Sequence, residues 1–197
     1  MMNYTPLVPP VTKPFEEFTD DEVREYFDWF TKNVDGRAEY LRGKISQQMH
    51  IGIGMLDYSA ESLKIIWKWF SGIAQTEKTG LIRRIFKGKS DGDYPSDVFT
   101  HYVIRDIGMY LSKIFLKYPS IGWAVKTKPK NYISVNRPLL VGFVDDDPGY
   151  PEPFHPDLEP VSFVEGCAIN IIYGDHNEND LYDYCIKYLS WVKEYNS

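Results

Sequence analysis

Between Asp145 and Glu159 the chain carries the carboxylates Asp145, Asp146, Asp147, Glu152, Asp157 and Glu159, with no lysine or arginine among them. Carboxylates at this density can do two kinds of chemistry. They can ligate a divalent cation, or they can speed the approach of a cationic partner. Tyr150, Phe154 and His155 lie in the same stretch, and Pro148, Pro151, Pro153 and Pro156 stiffen it. A stiff loop loses less entropy on binding, so its aromatic side chains are suited to act as anchors. Asp147-Pro148-Gly149 is good turn chemistry, which favours a solvated loop over a ligand set. The expected partner-binding residues are therefore Asp145, Asp146, Asp147, Tyr150, Glu152, Phe154, His155, Asp157 and Glu159. The competing account packs this loop against basic residues of its own chain.

A second cluster, Asp175-His176-Asn177-Glu178-Asn179-Asp180, is also rich in metal-capable groups and could act with His155 and Asp157. Its pattern is better explained as a helix junction. Gly174 ends one helix, Asn177 or Asn179 caps the next, and acidic side chains favour a helix N-terminus. No metal and no cofactor is expected.

The remaining motifs fail on spacing. Gly88-Lys89-Ser90 ends like a phosphate-binding loop, but the required glycine five residues earlier is Arg83. Gly52-Ile53-Gly54 is half of a dinucleotide fingerprint whose third glycine is replaced by Asp57. Asp97, His101 and Arg105 fall one helical turn apart and read as a surface pairing. No G-x-S-x-G is present, and no catalytic residue is assigned.

Charge is distributed unevenly. The net charge is −6, yet residues 64–138 sum to +9 and residues 139–197 to −10. Such polarity can steer a charged partner to one face. The basic run Arg83-Arg84-Ile85-Phe86-Lys87-Gly88-Lys89 is short, and the acidic C-terminal third would repel a phosphate backbone. Nucleic acid is therefore not expected as a partner.

The elements that must position these residues are mostly helices. Residues 1–17, with Pro6, Pro9, Pro10 and Pro14, read as an extended segment, and residues 18–197 as one globular domain. The prolines bar residues 1–14 from a helix interior or a central strand, so they are expected to be dispensable for folding. Thr19 and Glu22 form a capping box, with Phe18 and Val23 as a hydrophobic staple. A second helix is expected over 35–49, ended by Gly52 and Gly54, a third from Ser59, and a fourth over 96–118. Trp69 falls outside the apolar stripe of the third, leaving it exposed or against another element. The polar stretch 75–97 reads as a connection. Strands are expected at 123–125, 132–135 and 139–144. Two further helices run from Pro160 to Gly174 and from Glu178 to Glu194. The expectation is a helix-rich α+β fold: about six helices and a small antiparallel sheet of two or three strands between residues 121 and 144.

At 197 residues, with 5 Trp, 15 Tyr and 11 Phe, the chain can build a dense core without disulfides. Cys167 and Cys185 match no zinc spacing and read as buried thiols on helices, which suits a reducing compartment. The opening residues, Met1 to Pro6, have neither the basic nor the apolar part of a signal peptide, and no apolar run reaches membrane-spanning length. A cytoplasmic protein with no membrane association is expected.

Leu56-Asp57-Tyr58-Ser59-Ala60-Glu61-Ser62-Leu63 with Trp67-Lys68-Trp69-Phe70, then Asp106-Ile107-Gly108-Met109-Tyr110-Leu111 and Pro138-Leu139-Leu140-Val141-Gly142-Phe143, resemble segments of small bacterial cytosolic proteins of the toxin-immunity type. These neutralise a toxin by binding it. The resemblance implies a protein partner, such as a basic toxin, and no catalytic residues. The expected function is an acidic cytosolic binding protein. The alternative is a small hydrolase-like enzyme whose site residues converge only in the fold. The failed motifs favour the non-enzyme reading.

Overall fold

A computed structural model describes residues 4–76, 98–130, 132–146, 152–173 and 177–195. Among the described residues, five α-helices, α1 (Asp20–Met49), α2 (Ser62–Thr76), α3 (Val98–Phe115), α4 (Pro160–Tyr173) and α5 (Asp180–Leu189), accompany one two-stranded sheet. The strands are β1 (Gly122–Val125) and β2 (Pro138–Val141). This is the helix-rich α+β architecture with a small antiparallel sheet.

The capping box opens α1. Thr19 N–H donates to the Glu22 carboxylate at 2.7 Å, and Glu22 N–H donates to Thr19 Oγ1 at 3.4 Å. The helix then runs unbroken for 30 residues, where two helices were expected. Its buried stripe, Val23, Tyr26, Phe30, Val34, Ala38, Leu41 and Ile45, stays in register across Asp35-Gly36. Packing of that face outweighs the ~1 kcal/mol helix penalty of a glycine. The helix ends at His50, whose left-handed φ of 52° does the work expected of Gly52.

Ser59 Oγ accepts from Ser62 N–H and starts α2, which buries Leu63, Ile66, Trp67 and Phe70. Trp69 is buried as well, with Nε1 donating to Gln48 Oε1 of α1 at 2.6 Å. The central element is α3, buried from Val103 to Phe115 save for Arg105 and Lys113. It packs most extensively against α1 and α4. A Cβ at Gly108 would lie 3.0 Å from the Pro160 carbonyl oxygen, so the glycine permits close approach of α3 to the start of α4.

β1 and β2 pair antiparallel with Trp123 opposite Leu140 and Ala124 opposite Leu139. Residues 132–136 form turns, where a strand was expected. Val135 N–H bonds to Tyr132 O and Asn136 N–H to Lys126 O, and Asn136 adopts a φ of 62°. Ile133 is 87% exposed while Val135 is 2% exposed, so the apparent alternation does not mark one sheet face. Gly142 ends β2 with a φ of 107°, its backbone crossing close over Ser120.

Residues 4–14 lie along α1 and α3. Tyr4 is buried beside Arg37 and Asp106, and Arg37 Nη2 donates to Thr5 O at 3.0 Å. Arg105 Nη1 donates to Leu7 O at 3.1 Å. Phe18, Val23, Tyr26, Phe30, Val34 and Met109 form a small core beneath this arm. Among the described residues, a larger core joins α1 to α5 and the sheet. Both cysteines are free and buried, Cys167 on α4 and Cys185 on α5.

Candidate functional site

The acidic loop leaves the sheet at β2 and returns beside it. Leu140 and Leu158 exchange backbone hydrogen bonds of 2.8 and 2.9 Å, and Asp145 and Phe154 do the same. These two antiparallel bridges clamp the base of the loop. A third tie runs from Val144 N–H to Trp191 O at 2.9 Å, fixing the base to the end of α5.

Beyond the second bridge, Asp146 and Glu152 are exposed; the Phe154 ring at the bridge is 59% exposed, and His155 beside it is exposed as well. Asp147 and Tyr150 lie outside the described residues. Asp145 contributes its backbone to the clamp, which brings Asp145, Asp146, Glu152, Phe154 and His155 to one end of the sheet.

Asp157 and Glu159 are turned to internal use. Asp157 pairs with Lys126 and accepts from the Tyr132 hydroxyl at 2.9 Å. Burial, then this carboxylate, pushes the Tyr132 phenol up to about 12. Glu159 is buried and caps α4, accepting from Val161 N–H at 3.1 Å and Ser162 N–H at 2.6 Å. Arg137 stands 3.7 Å from it. Burial holds the Glu159 carboxyl above the ordinary carboxylate range. Lys126 and Arg137 both belong to the basic middle of the chain, so internal pairing accounts for these two carboxylates. The missed signal is local: a glutamate just before a proline at the first helical position is placed to cap.

Next to the loop base lies an aromatic cluster that spacing could have revealed. Tyr184, Tyr188 and Trp191 follow i, i+4, i+7. The Tyr184 and Tyr188 rings meet Phe163 of α4, with centroids 5.8 and 5.6 Å away, and Trp191 meets Tyr188 at 4.9 Å. Tyr184 is 47% exposed. Aromatic side chains that are part packed and part open have the character of interface anchors.

A separate cleft of about 230 Å³ lies between the N-terminal arm and the helices α1, α3 and α4. It gathers His101, Arg105, Arg137, Glu159 and Glu165 over an aromatic floor. His101 Nδ1 is 3.8 Å from Glu165. Asp97, expected beside His101, lies outside the described residues, as do the basic run 83–89 and the residues Asp175 and His176. Among the described residues, no group of three or more His, Cys, Asp or Glu is placed to hold a metal, and no helix is long and apolar enough to cross a membrane.

No protein-family model matches the chain, and neither a curated protein nor a solved structure matches it. The functional reading therefore rests on geometry and charge.

Proposed function

We propose that this chain is a cytosolic binding protein that captures a basic protein partner through the loop 145–159 and the adjoining aromatic surface. An immunity-type inhibitor of a toxin is the most concrete form of that role. The observation that carries the reading is the clamp at the loop base. Two backbone bridges and the bond to Trp191 hold the base, while Asp146, Glu152 and Phe154 remain exposed. Asp146, next to the clamped Asp145, is presented to a partner at little ordering cost. Exposed carboxylates chiefly raise the rate of encounter with a cationic surface, and aromatic anchors slow its release.

Asp157 and Glu159 serve in this reading to hold the loop, through Lys126 and through the start of α4. The two buried free thiols suit a reducing compartment.

The test is affinity capture from extract of the parent cells, with the Asp146→Lys/Glu152→Lys double variant beside the parent chain. The reading expects a basic protein retained by the parent chain and lost from the variant, at equal thermal stability. Equal retention by both chains would overturn it.

A further inference from the structure

The cleft under the N-terminal arm carries an inference that does not rest on the binding role of the acidic loop. Its floor is apolar and aromatic: Phe15, Phe18, Tyr26 and Phe30 line it. Pro9 and Val11 of the arm form part of its wall. Two guanidinium groups reach the same space from different elements, Arg105 from α3 and Arg137 from the residue before β2.

The charges around this space are incompletely neutralised. Lys13 pairs with Glu22 at 2.8 Å, and His101 stands 3.8 Å from Glu165. Arg105 spends one donor on the Leu7 carbonyl, and its Cζ lies 5.4 Å from the Trp29 ring centroid and 5.1 Å from that of Tyr102. Among the described residues it forms no salt bridge. A guanidinium has five N–H donors, so Arg105 keeps capacity for an acceptor. Arg137 donates from Nη1 to Ser162 Oγ at 2.9 Å and stands 3.7 Å from the Glu159 carboxylate, and its Cζ lies 4.4 Å from the Phe15 ring centroid. Its Nε is buried and has no hydrogen-bond partner. Leaving a buried N–H of a charged group unpaired is costly.

A planar anion answers these requirements. Carboxylate accepts from guanidinium groups in short, charge-assisted bonds, and an attached ring can pack on the aromatic floor. Drug-sized ligands occupy about 300–1,000 Å³. At about 230 Å³ this cleft suits something smaller, with one ring. We propose that the cleft binds a small carboxylate bearing a single aromatic ring, the carboxylate held by Arg105 and Arg137 and the ring by Phe18, Tyr26 and Phe30. The same chemistry occurs in a free aryl acid and at the C-terminus of a peptide ending in an aromatic residue.

The experiment is titration of the full chain with 3-phenylpropanoate, followed by amide chemical shifts. The uncharged amide 3-phenylpropanamide and acetate serve as controls. The expected result is saturable binding of the aryl acid, with shifts at Phe18, Tyr26, Phe30 and Arg105. The amide and acetate should each bind at least about tenfold more weakly, since each lacks one half of the recognition. Arg105→Gln should weaken the acid about tenfold and leave the amide unchanged. N-acetyl-phenylalanine tests the peptide source, and tighter binding than the free acid would assign the cleft to a chain terminus, within the same proposal. No saturation at millimolar ligand, equal binding of acid and amide, or shifts confined elsewhere would each overturn it. The acid–amide comparison on the unmodified chain decides the matter even if Arg105→Gln does not fold.

Discussion

The hydroxyl of Tyr4 donates to the carboxylate of Asp106, 102 residues further along the chain, and Arg37 Nε donates to the same carboxylate at 3.0 Å. The three side chains come from the arm, α1 and α3, and Asp106 is only 2% exposed. Burial is the largest influence on this carboxyl and pushes its pKa upward, with Arg37 and Tyr4 acting in the opposite direction. The arm is thus wired into the buried polar centre of the fold.

Removing residues 1–7 should therefore destabilise the protein, contrary to what the proline pattern suggests. The deletion strips Tyr4 from the core and leaves Asp106 with fewer partners, each loss costing about 1–3 kcal/mol. A melting temperature lowered by more than about 5 °C is expected, given ~2–4 °C per kcal/mol at this size. Tyr4→Phe should produce a smaller drop in the same direction. An unchanged melting temperature for the deletion would show that the arm does not contribute.

Three glycine-to-alanine substitutions should differ in sign. Gly36 is mid-helix with nothing within 4 Å of an added Cβ, so Gly36→Ala should stabilise by about 0.5–1 kcal/mol. Gly108→Ala should destabilise, because its Cβ would press on the Pro160 backbone at 3.0 Å. Gly142→Ala should be worst, combining a φ of 107° with a Cβ only 2.0 Å from Ser120 O. Thermal or urea unfolding of the three variants checks the ranking.

Much of this fold is legible in local sequence, and the illegible parts have identifiable causes. The capping box at Thr19 and Glu22 reads directly, because its geometry is set by residues three apart. Continuity of α1 through Gly36 does not, because it depends on the face that α3 covers. Residues 132–135 look like a strand by type, yet Asn136 bonds both to Lys126 O and, through Nδ2, to Phe15 O, which holds a turn. The acidic loop is conspicuous in composition, but which carboxylates face inward depends on Lys126 and Arg137 from distant positions. The cleft was hidden for the same reason: its lining comes from the arm, α1, α3, β2 and α4.

Chemical modification should find both thiols protected. Burial pushes Cys167 and Cys185 up to about 12. Native protein should react slowly with a thiol-specific disulfide reagent at neutral pH, and both thiols should react promptly in denaturant. The sign of the pH effect follows. The folded state holds the thiols neutral, so their contribution is intact below the ordinary thiol pKa of about 8.5 and is lost as pH rises toward 12. Prompt reaction of either thiol in the native state would contradict this.

The central claim, that the exposed carboxylates of the loop recruit a basic partner, is tested most directly by association kinetics. The captured partner would be mixed with the parent chain and with Asp146→Lys/Glu152→Lys across a range of ionic strengths. The account predicts an association rate for the parent chain that falls steeply with salt, and a variant about tenfold slower at low salt with a flatter dependence. Dissociation rates should agree within about twofold, because charges at the rim act mainly on encounter. Identical association rates and salt dependences for the two chains would contradict the account.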